Sequence, residues 1–274
     1  MRVARIIALG LICLVIGAAG GLVYFQRSLI YWPQPPSAAS PPAGIDIVHI
    51  TTADGEDLVG WHHRAQAGQP TFLFFDGNGG KPQIQSGRWR RLMDHGAGFL
   101  AVYYRGYAGS TGHPTEAGLH IDARAGYDWL IAHGLTPHDI VLHGFSLGTG
   151  VAIKLATERP ARAMVLEAPY TSVVDLIQTR LPIVPAFLVS DPFPSREWIA
   201  SVHIPVLFVH GDRDSVIPYT QARQLFARAN EPREFVTLSG SDHCTLVRDG
   251  LYDEIWAFLR NVPSFAIQGA ALSP

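Results

Sequence analysis

Residues 144–148 have the sequence Gly-Phe-Ser-Leu-Gly, which places one serine in the pattern G-x-S-x-G. A strand-like run at residues 140–143 precedes it, and a helix-like run at residues 147–158 follows it. In this strand-turn-helix setting a serine sits on a sharp turn with its hydroxyl exposed. Glycine on either side lets the neighbouring strand and helix approach closely. The pattern predicts that Ser146 is a nucleophile.

A serine hydroxyl needs a general base that removes its proton, and that base needs a carboxylate that fixes its tautomer. Both residue types follow Ser146 along the chain, the acid before the histidine. Asp214 lies in the loop after a predicted strand at residues 206–209, and His243 lies in the loop after the next strand. We predict that Asp214 is the acid and His243 the base.

Two further acids stand close to these candidates in the sequence. Asp212 lies in the same loop as Asp214 and remains a competing choice for the acid. Asp242 directly precedes His243, and adjacent side chains rarely meet in the geometry of a triad. The ordinary alternatives, a turn aspartate and a loop histidine without a catalytic role, also stay open at this point.

The loop at residues 76–80, Asp-Gly-Asn-Gly-Gly, follows the predicted strand at residues 71–75. Backbone N–H groups from such a loop and from the residue after the nucleophile can hold the oxyanion of a tetrahedral intermediate. We therefore predict that the N–H groups of Asn78 and Leu147 bind the oxyanion. The alternative is that the glycines only form a turn.

Apolar runs alternate with amphipathic runs along most of the chain, which predicts a mostly parallel, doubly wound eight-stranded α/β sheet. Six strands are continuous apolar runs, as expected where helices cover both faces of a sheet. The catalytic and binding residues of such a sheet lie on loops at the carboxyl ends of its strands. Strands are predicted at residues 47–51, 58–63, 71–75, 99–104, 140–143, 163–166, 206–209 and 234–238, and helices at 83–95, 115–133, 147–158, 220–229 and 247–259.

No loop has the full pattern of a phosphate, dinucleotide or metal site. Residues 77–81 resemble a P-loop, but Phe75 and Pro82 stand where that motif needs glycine and serine or threonine. His62 and His63 are adjacent on a predicted strand, so their side chains point to opposite faces. The sequence therefore indicates neither a cofactor nor a metal.

The composition argues for a folded core and against nucleic acid as a partner. Of the 274 residues, 47% are hydrophobic and 16% are charged, with 21 basic and 23 acidic side chains and a formal charge of −2. A disordered chain has lower hydrophobicity, and a nucleic-acid binder has a basic surplus. Cys13 and Cys244, far apart in the sequence, predict no disulfide framework.

Residues 6–25 contain no charged side chain, and Arg2 and Arg5 precede them. Twenty residues in a helix extend about 30 Å, enough to cross a hydrocarbon core. This predicts an uncleaved signal anchor; a cleaved signal peptide, cut near residues 17–19, is the alternative. Arg2 and Arg5 outnumber Arg27 on the other side, which places the catalytic domain on the extracytoplasmic (periplasmic or lumenal) side.

The predicted boundaries divide the chain into four parts. An N-terminal membrane anchor covers residues 1–32, and a proline-rich linker covers 33–44. The catalytic domain covers residues 45–260, followed by a disordered tail at 261–274. The sequence predicts no particular oligomeric state.

With these residues in view, the chain resembles the α/β-hydrolase superfamily, and within it the membrane-anchored branch of lysophospholipases and depalmitoylases. The resemblance implies a covalent acyl-enzyme and no cofactor. It departs at Asp76, where the family usually has histidine. The matching segments are residues 26–31, Tyr-Arg-Gly-Tyr-Ala-Gly-Ser-Thr-Gly at 104–112, Asp-Ala-Arg at 122–124, the serine motif at 144–148, Ala-Pro-Tyr-Thr-Ser at 168–172, and His-Gly at 210–211 before Asp214.

About 30 residues separate the strand ending at residue 166 from the strand starting at 206, where such enzymes insert a lid. The segment contains an apolar stretch at residues 183–189, which favours a small-molecule or lipid-like acyl substrate; core packing explains it equally well. The function expected is a membrane-tethered serine hydrolase of a carboxylic ester or thioester. A peptidase or an acyltransferase would use the same residues, and an inactive binding scaffold is the alternative from another class.

Overall fold

The computed structural model describes residues 2–33, 41–80 and 85–262, and its centre is one sheet of eight strands. The order across the sheet is β1-β2-β4-β3-β5-β6-β7-β8. Strands β1 and β2, and β2 and β4, pair antiparallel, and the other pairs are parallel. The strands are β1 Asp46–Thr51, β2 Asp57–His63, β3 Thr71–Phe75, β4 Gly98–Val102, β5 Ile140–Phe145, β6 Ala163–Glu167, β7 Val206–Gly211 and β8 Arg233–Leu238.

The predicted mostly parallel eight-stranded sheet is therefore confirmed, and helices connect most of its parallel strands. Every residue of β3, β4, β6 and β7 is buried, as their continuous apolar sequences require. The helices are α1 Arg2–Ile30, α2 Ser86–Asp94, α3 Glu116–Ala132, α4 Leu147–Ala156, α5 Val173–Arg180, α6 Ser195–Trp198, α7 Tyr219–Arg228 and α8 Leu251–Asn261.

Three details of the predicted elements were wrong. Strand β8 lies at the edge of the sheet and is only partly buried, because no strand covers its outer side. Helix α8 begins at Leu251, four residues later than predicted, because hydrogen-bonded turns occupy residues 242–249. The short helices α5 and α6, with 3-10 turns between β6 and β7, were not foreseen in a segment rich in proline.

The N-terminal segment differs from the prediction in another way. Residues 6–25 do lie inside helix α1, Arg2–Ile30. Within the described residues, however, no helix combines the length and the apolar character that a membrane span requires, so the structure gives the predicted transmembrane helix no support. Most of the predicted linker and nearly all of the predicted tail lie outside the described residues.

The registers of the parallel strands bring three functional loops to one edge of the sheet. Phe75 pairs with Gly144, so the loop after β3 begins beside the serine motif after β5. Gly211 pairs with Leu238, so the loops after β7 and β8 also leave side by side. The carboxyl ends of parallel strands meet at one edge, which is where the candidate residues lie.

Candidate active site

Ser146 lies at the turn between β5 and α4 and has left-handed backbone angles, φ 51° and ψ −119°. A non-glycine residue in that region stores strain that the surroundings must hold. A Cβ on Gly144 would come within 2.4 Å of the carbonyl oxygen of Gly148, and one on Gly148 within 2.1 Å of that of Phe75. Both positions therefore need glycine, and the turn depends on them.

The structure brings Ser146, His243 and Asp214 together. His243 Nε2 lies 3.0 Å from Ser146 Oγ, and His243 Nδ1 lies 2.7 Å from Asp214 Oδ2. With the proton on Nδ1, the imidazole donates to the carboxylate and its Nε2 accepts from the serine hydroxyl. This is the geometry of a serine nucleophile with its base and an orienting acid.

The carboxylate of Asp214 is fully buried and surrounded by donors. Its Oδ1 accepts from the backbone N–H groups of Val216 and Ile217, each at 2.8 Å. His210 Nε2 lies 3.2 Å from Oδ2, a contact that sequence reasoning missed. Burial alone raises the pKa of Asp214, but hydrogen bonds from His210 and His243 outweigh it and hold that pKa below its ordinary value. The group is therefore charged and fixed in place.

The two competing acids have other roles in the structure. Asp212 accepts from the backbone N–H of Gly240 at 2.6 Å and contacts Ser239, so it braces the two loops on the exposed side. Asp242 accepts from the backbone N–H and the hydroxyl of Ser215. Neither carboxylate is hydrogen-bonded to the imidazole of His243. Both tie the loop after β7 to the loop after β8, and thereby hold the acid and the base at a fixed separation.

The loop after β3 lies directly beside the nucleophile. A Cβ built on Gly77 would stand 3.3 Å from the Cβ of Ser146. Leu147 is the first residue of α4, where backbone N–H groups have no partner within the helix. Among the described residues, neither the backbone N–H of Asn78 nor that of Leu147 donates a hydrogen bond. Asn78 lines the same cavity as Ser146, and Leu147 directly follows Ser146, so both predicted donors lie near the nucleophile.

Asp76, at the position where the family usually has histidine, is buried. Its Oδ1 accepts from the backbone N–H of Gly77 at 2.8 Å and from Gln85 Nε2 at 3.0 Å. Burial raises the pKa of Asp76 to about 6, against the lowering effects of these donors and of the positive charge on Arg88. The carboxyl is therefore neutral in mildly acidic solution and charged above that.

A cavity of about 270 Å³ opens at Ser146 and His243. Its walls include the loop after β3, Phe145 and Val247, and its polar side is formed by Gln85, Arg88 and Glu167. Its volume suits the acyl or the leaving group of a small ester.

Arg88 and Glu167 form a buried ion pair, with Arg88 Nη1 2.8 Å from Glu167 Oε2. The guanidinium of Arg88 also donates to the Tyr252 hydroxyl at 3.3 Å, and His143 Nε2 lies 3.2 Å from Glu167 Oε2. Burial alone raises the pKa of Glu167, but the charge of Arg88 reverses this and lowers it to about 2. Sequence reasoning missed this cluster; the signal was a glutamate that ends the otherwise apolar strand β6.

The fold and this site define a class of protein. The chain is 39% identical to Rv2307c, an uncharacterized protein of Mycobacterium tuberculosis, over 255 residues that cover 89% of this chain and 90% of that one. It is 28% identical to the α/β hydrolase domain-containing protein WAV2 of Arabidopsis thaliana, over 89% of this chain and 86% of that one. No protein-family profile matches the chain.

Among solved structures, the Pyrococcus furiosus esterase Pf2001 superimposes with a TM-score of 0.69. The two are 19% identical, over 85% of this chain and 98% of that one, so this likeness concerns the fold. The chain belongs to the α/β-hydrolase superfamily, in the branch that includes Rv2307c and WAV2. The chain therefore has the fold of this superfamily, with a serine, a histidine and an aspartate in hydrogen-bond contact at the candidate site.

Proposed function

We propose that this protein hydrolyses a carboxylic ester or thioester through a covalent acyl-enzyme, with Ser146, His243 and Asp214 as the catalytic triad. The observation that carries the proposal is the continuous hydrogen-bonded line from Ser146 Oγ through the imidazole to the buried carboxylate. A scaffold that only binds a ligand has no need of a strained serine held at 3.0 Å from a histidine nitrogen.

Each step of the reaction has a group to perform it. His243 Nε2 takes the proton as Ser146 Oγ forms a bond to the substrate carbonyl carbon, and the N–H groups of Asn78 and Leu147 hold the oxyanion. The carbonyl re-forms as the bond to the leaving oxygen or sulfur breaks, and His243 gives that atom its proton. A water molecule, deprotonated by the same imidazole, then releases the acid and restores Ser146. Asp214 keeps the imidazole in the required tautomer throughout.

The substrate class follows from the cavity and from the segment between β6 and β7. The cavity at Ser146, with a volume of about 270 Å³, has room for a small acyl ester. The exposed apolar side chains of Ile183 and Phe187, in the predicted lid, would suit a lipid-like acyl chain. Turnover of short and long acyl esters separates these two substrates.

A membrane tether is the second part of the proposal. It rests on the sequence of residues 6–25, which are uncharged, and on Arg2 and Arg5 before them. We propose that residues 1–32 attach the enzyme to a membrane, with the catalytic domain on the extracytoplasmic side. The full chain should then stay with membranes during alkaline carbonate extraction, and release into the supernatant would contradict the tether. Protease added on the extracytoplasmic side of the membrane should digest the catalytic domain.

The test of the activity is covalent labelling by a fluorophosphonate probe. Wild type should be labelled and Ser146→Ala should not, while Ser201→Ala, which alters an exposed serine on a remote turn, should be labelled like wild type. Turnover of p-nitrophenyl butyrate and palmitate gives the chain-length preference, and a matched amide measures any peptidase activity. Folded wild type that takes no label and turns over no ester would refute the proposal.

A further inference from the structure

The carbonyl oxygen of Asn78 accepts two hydrogen bonds from residues outside its own loop. One comes from the backbone N–H of Trp32 at 3.0 Å, and the other from the hydroxyl of Tyr107 at 2.8 Å. Tyr107 is buried, so its hydroxyl is held in place by packing. Trp32 lies just after helix α1, and Tyr107 lies in the loop after β4. Two distant parts of the chain therefore meet at one atom of the oxyanion loop.

These bonds bear on the N–H of Asn78 because the neighbouring peptide groups are also fixed. The carbonyl of Gly77 accepts from the N–H of Gly80 at 3.2 Å. In a trans peptide the N–H of Asn78 points to the opposite side from that carbonyl. The carbonyl of Asp76 accepts from the hydroxyl of Tyr104 at 3.0 Å. The N–H and the carbonyl of Asn78 belong to consecutive peptide groups that are joined at its Cα. The bond to the Gly77 carbonyl orients the first group and the bonds from Trp32 and Tyr107 orient the second, so together they fix the position and direction of the Asn78 N–H.

The end of α1 is in turn attached to the segment between β6 and β7. Gln26 is buried; its Nε2 donates to the carbonyl of Leu188 at 3.2 Å, and its Oε1 accepts from the N–H of Ser190 at 2.7 Å. Arg27 Nε donates to Asp191 Oδ2 at 2.9 Å. These contacts of Gln26 and Arg27 hold the end of α1 against the hydrolase fold, and thereby place the backbone N–H of Trp32 that donates to Asn78.

We propose that Tyr107 and residues 26–32, the end of α1 with the two residues after it, position the oxyanion loop. The segment before the hydrolase domain then contributes to the geometry of the active site. The proposal rests on the proposed function, because it concerns how the N–H of Asn78 meets the oxyanion. Tyr107 and Trp32 are positioning residues: they act through Asn78 and do not touch the reacting atoms. Because the oxyanion exists only after attack, a looser loop lowers kcat and leaves KM nearly unchanged.

The first test is Tyr107→Phe, which removes one donor to the Asn78 carbonyl and keeps the ring. Tyr127→Phe is the matched control, since its hydroxyl also donates from a buried ring to a backbone carbonyl, that of Pro160, at 2.7 Å. Tyr107→Phe should lower kcat about tenfold with KM within about twofold, which corresponds to the loss of one hydrogen bond worth about 1.4 kcal/mol. Tyr127→Phe should keep wild-type kcat.

An oxyanion mimic gives a second measurement that a purely structural role would not change. A trifluoromethyl ketone forms a tetrahedral adduct with the serine, and its inhibition constant should rise about tenfold in Tyr107→Phe, in parallel with the loss in kcat. The melting temperatures of Tyr107→Phe and Tyr127→Phe should fall by similar amounts. Wild-type kcat and inhibition constant in Tyr107→Phe would overturn the proposal.

The contribution of the helix end is tested by Gln26→Ala, with Gln178→Ala as control. Gln178 donates to the carbonyl of Val184 in the same segment but does not reach α1. Gln26→Ala should lower kcat more than Gln178→Ala does; equal values would overturn the part assigned to the helix end. If wild type itself shows neither fluorophosphonate labelling nor turnover, the proposed function fails, whereas an active wild type with these variants unaffected refutes the positioning alone.

Discussion

Replacing Asp76 by asparagine should make the protein more stable, and the gain should grow as the pH rises. The carboxyl is buried and its pKa is raised to about 6, from an ordinary value of 3.8, because burial disfavours the charged form. An asparagine Oδ1 keeps the acceptor for the N–H of Gly77 and for Gln85 but cannot ionise. The substitution thus removes a buried charge and retains its hydrogen bonds.

The sign follows from proton linkage. Between pH 3.8 and 6 the folded state of wild type holds the Asp76 proton more tightly than the unfolded state does, so the free energy of unfolding falls as the pH rises through this range. The difference between the two pKa values corresponds to ~3 kcal/mol, of which about 2.4 kcal/mol is lost between pH 4 and pH 8 because part of it is already lost at pH 4. Any unsatisfied amide N–H in Asp76→Asn costs the same at every pH and cancels from this comparison.

The assay is urea denaturation of wild type and Asp76→Asn at pH 4 and pH 8. The difference in the free energy of unfolding, variant minus wild type, should increase by about 2.4 kcal/mol between the two conditions. Asp94→Asn, the same chemical change on an exposed helix position, serves as control and should not give an increase of this size. A difference for Asp76→Asn that stays constant or decreases with pH would refute the reasoning, because Arg88 would then hold the carboxylate charged in the folded state.

Three further predictions concern the site and its supports. Asp214→Asn should reduce kcat by roughly three to four orders of magnitude, as the same change does in serine proteases; steady-state turnover checks this, and a loss below tenfold contradicts it. Gly148→Ala should destabilise the fold by about 3 kcal/mol, because its Cβ meets a backbone oxygen at 2.1 Å, whereas Gly79→Ala, with open space around it, should be near neutral in urea denaturation. Arg88→Met should lower the free energy of unfolding by about 3–5 kcal/mol, because it leaves Glu167 buried and unpaired. The double variant Arg88→Met with Glu167→Leu should recover most of this loss. Urea denaturation measures both, and no recovery would mean that the pair itself stabilises the fold.

Sequence reasoning located most of the sheet because local signals were strong there. Strands β3, β6 and β7 are apolar runs of five or six residues that end in polar loops, and such runs are buried wherever a sheet is covered on both faces. It failed where tertiary position decides. The sequence of β8 resembles that of an inner strand, but its place at the edge of the sheet leaves it partly exposed. No periodic pattern marked the short helices between β6 and β7, because their ends depend on contacts with the rest of the fold.

For the site, the sequence by itself determined the residue types and their order: a serine between two glycines, then an acid, then a histidine. Only the tertiary structure showed that Asp214, and not Asp212, is the carboxylate hydrogen-bonded to His243, because that contact joins residues 29 positions apart in the chain. The same holds for the bond from Trp32 to Asn78, where the partners are 46 residues apart. Local patterns fix what each segment can form and which groups it carries, whereas contacts between distant segments are set by how the sheet and its helices pack.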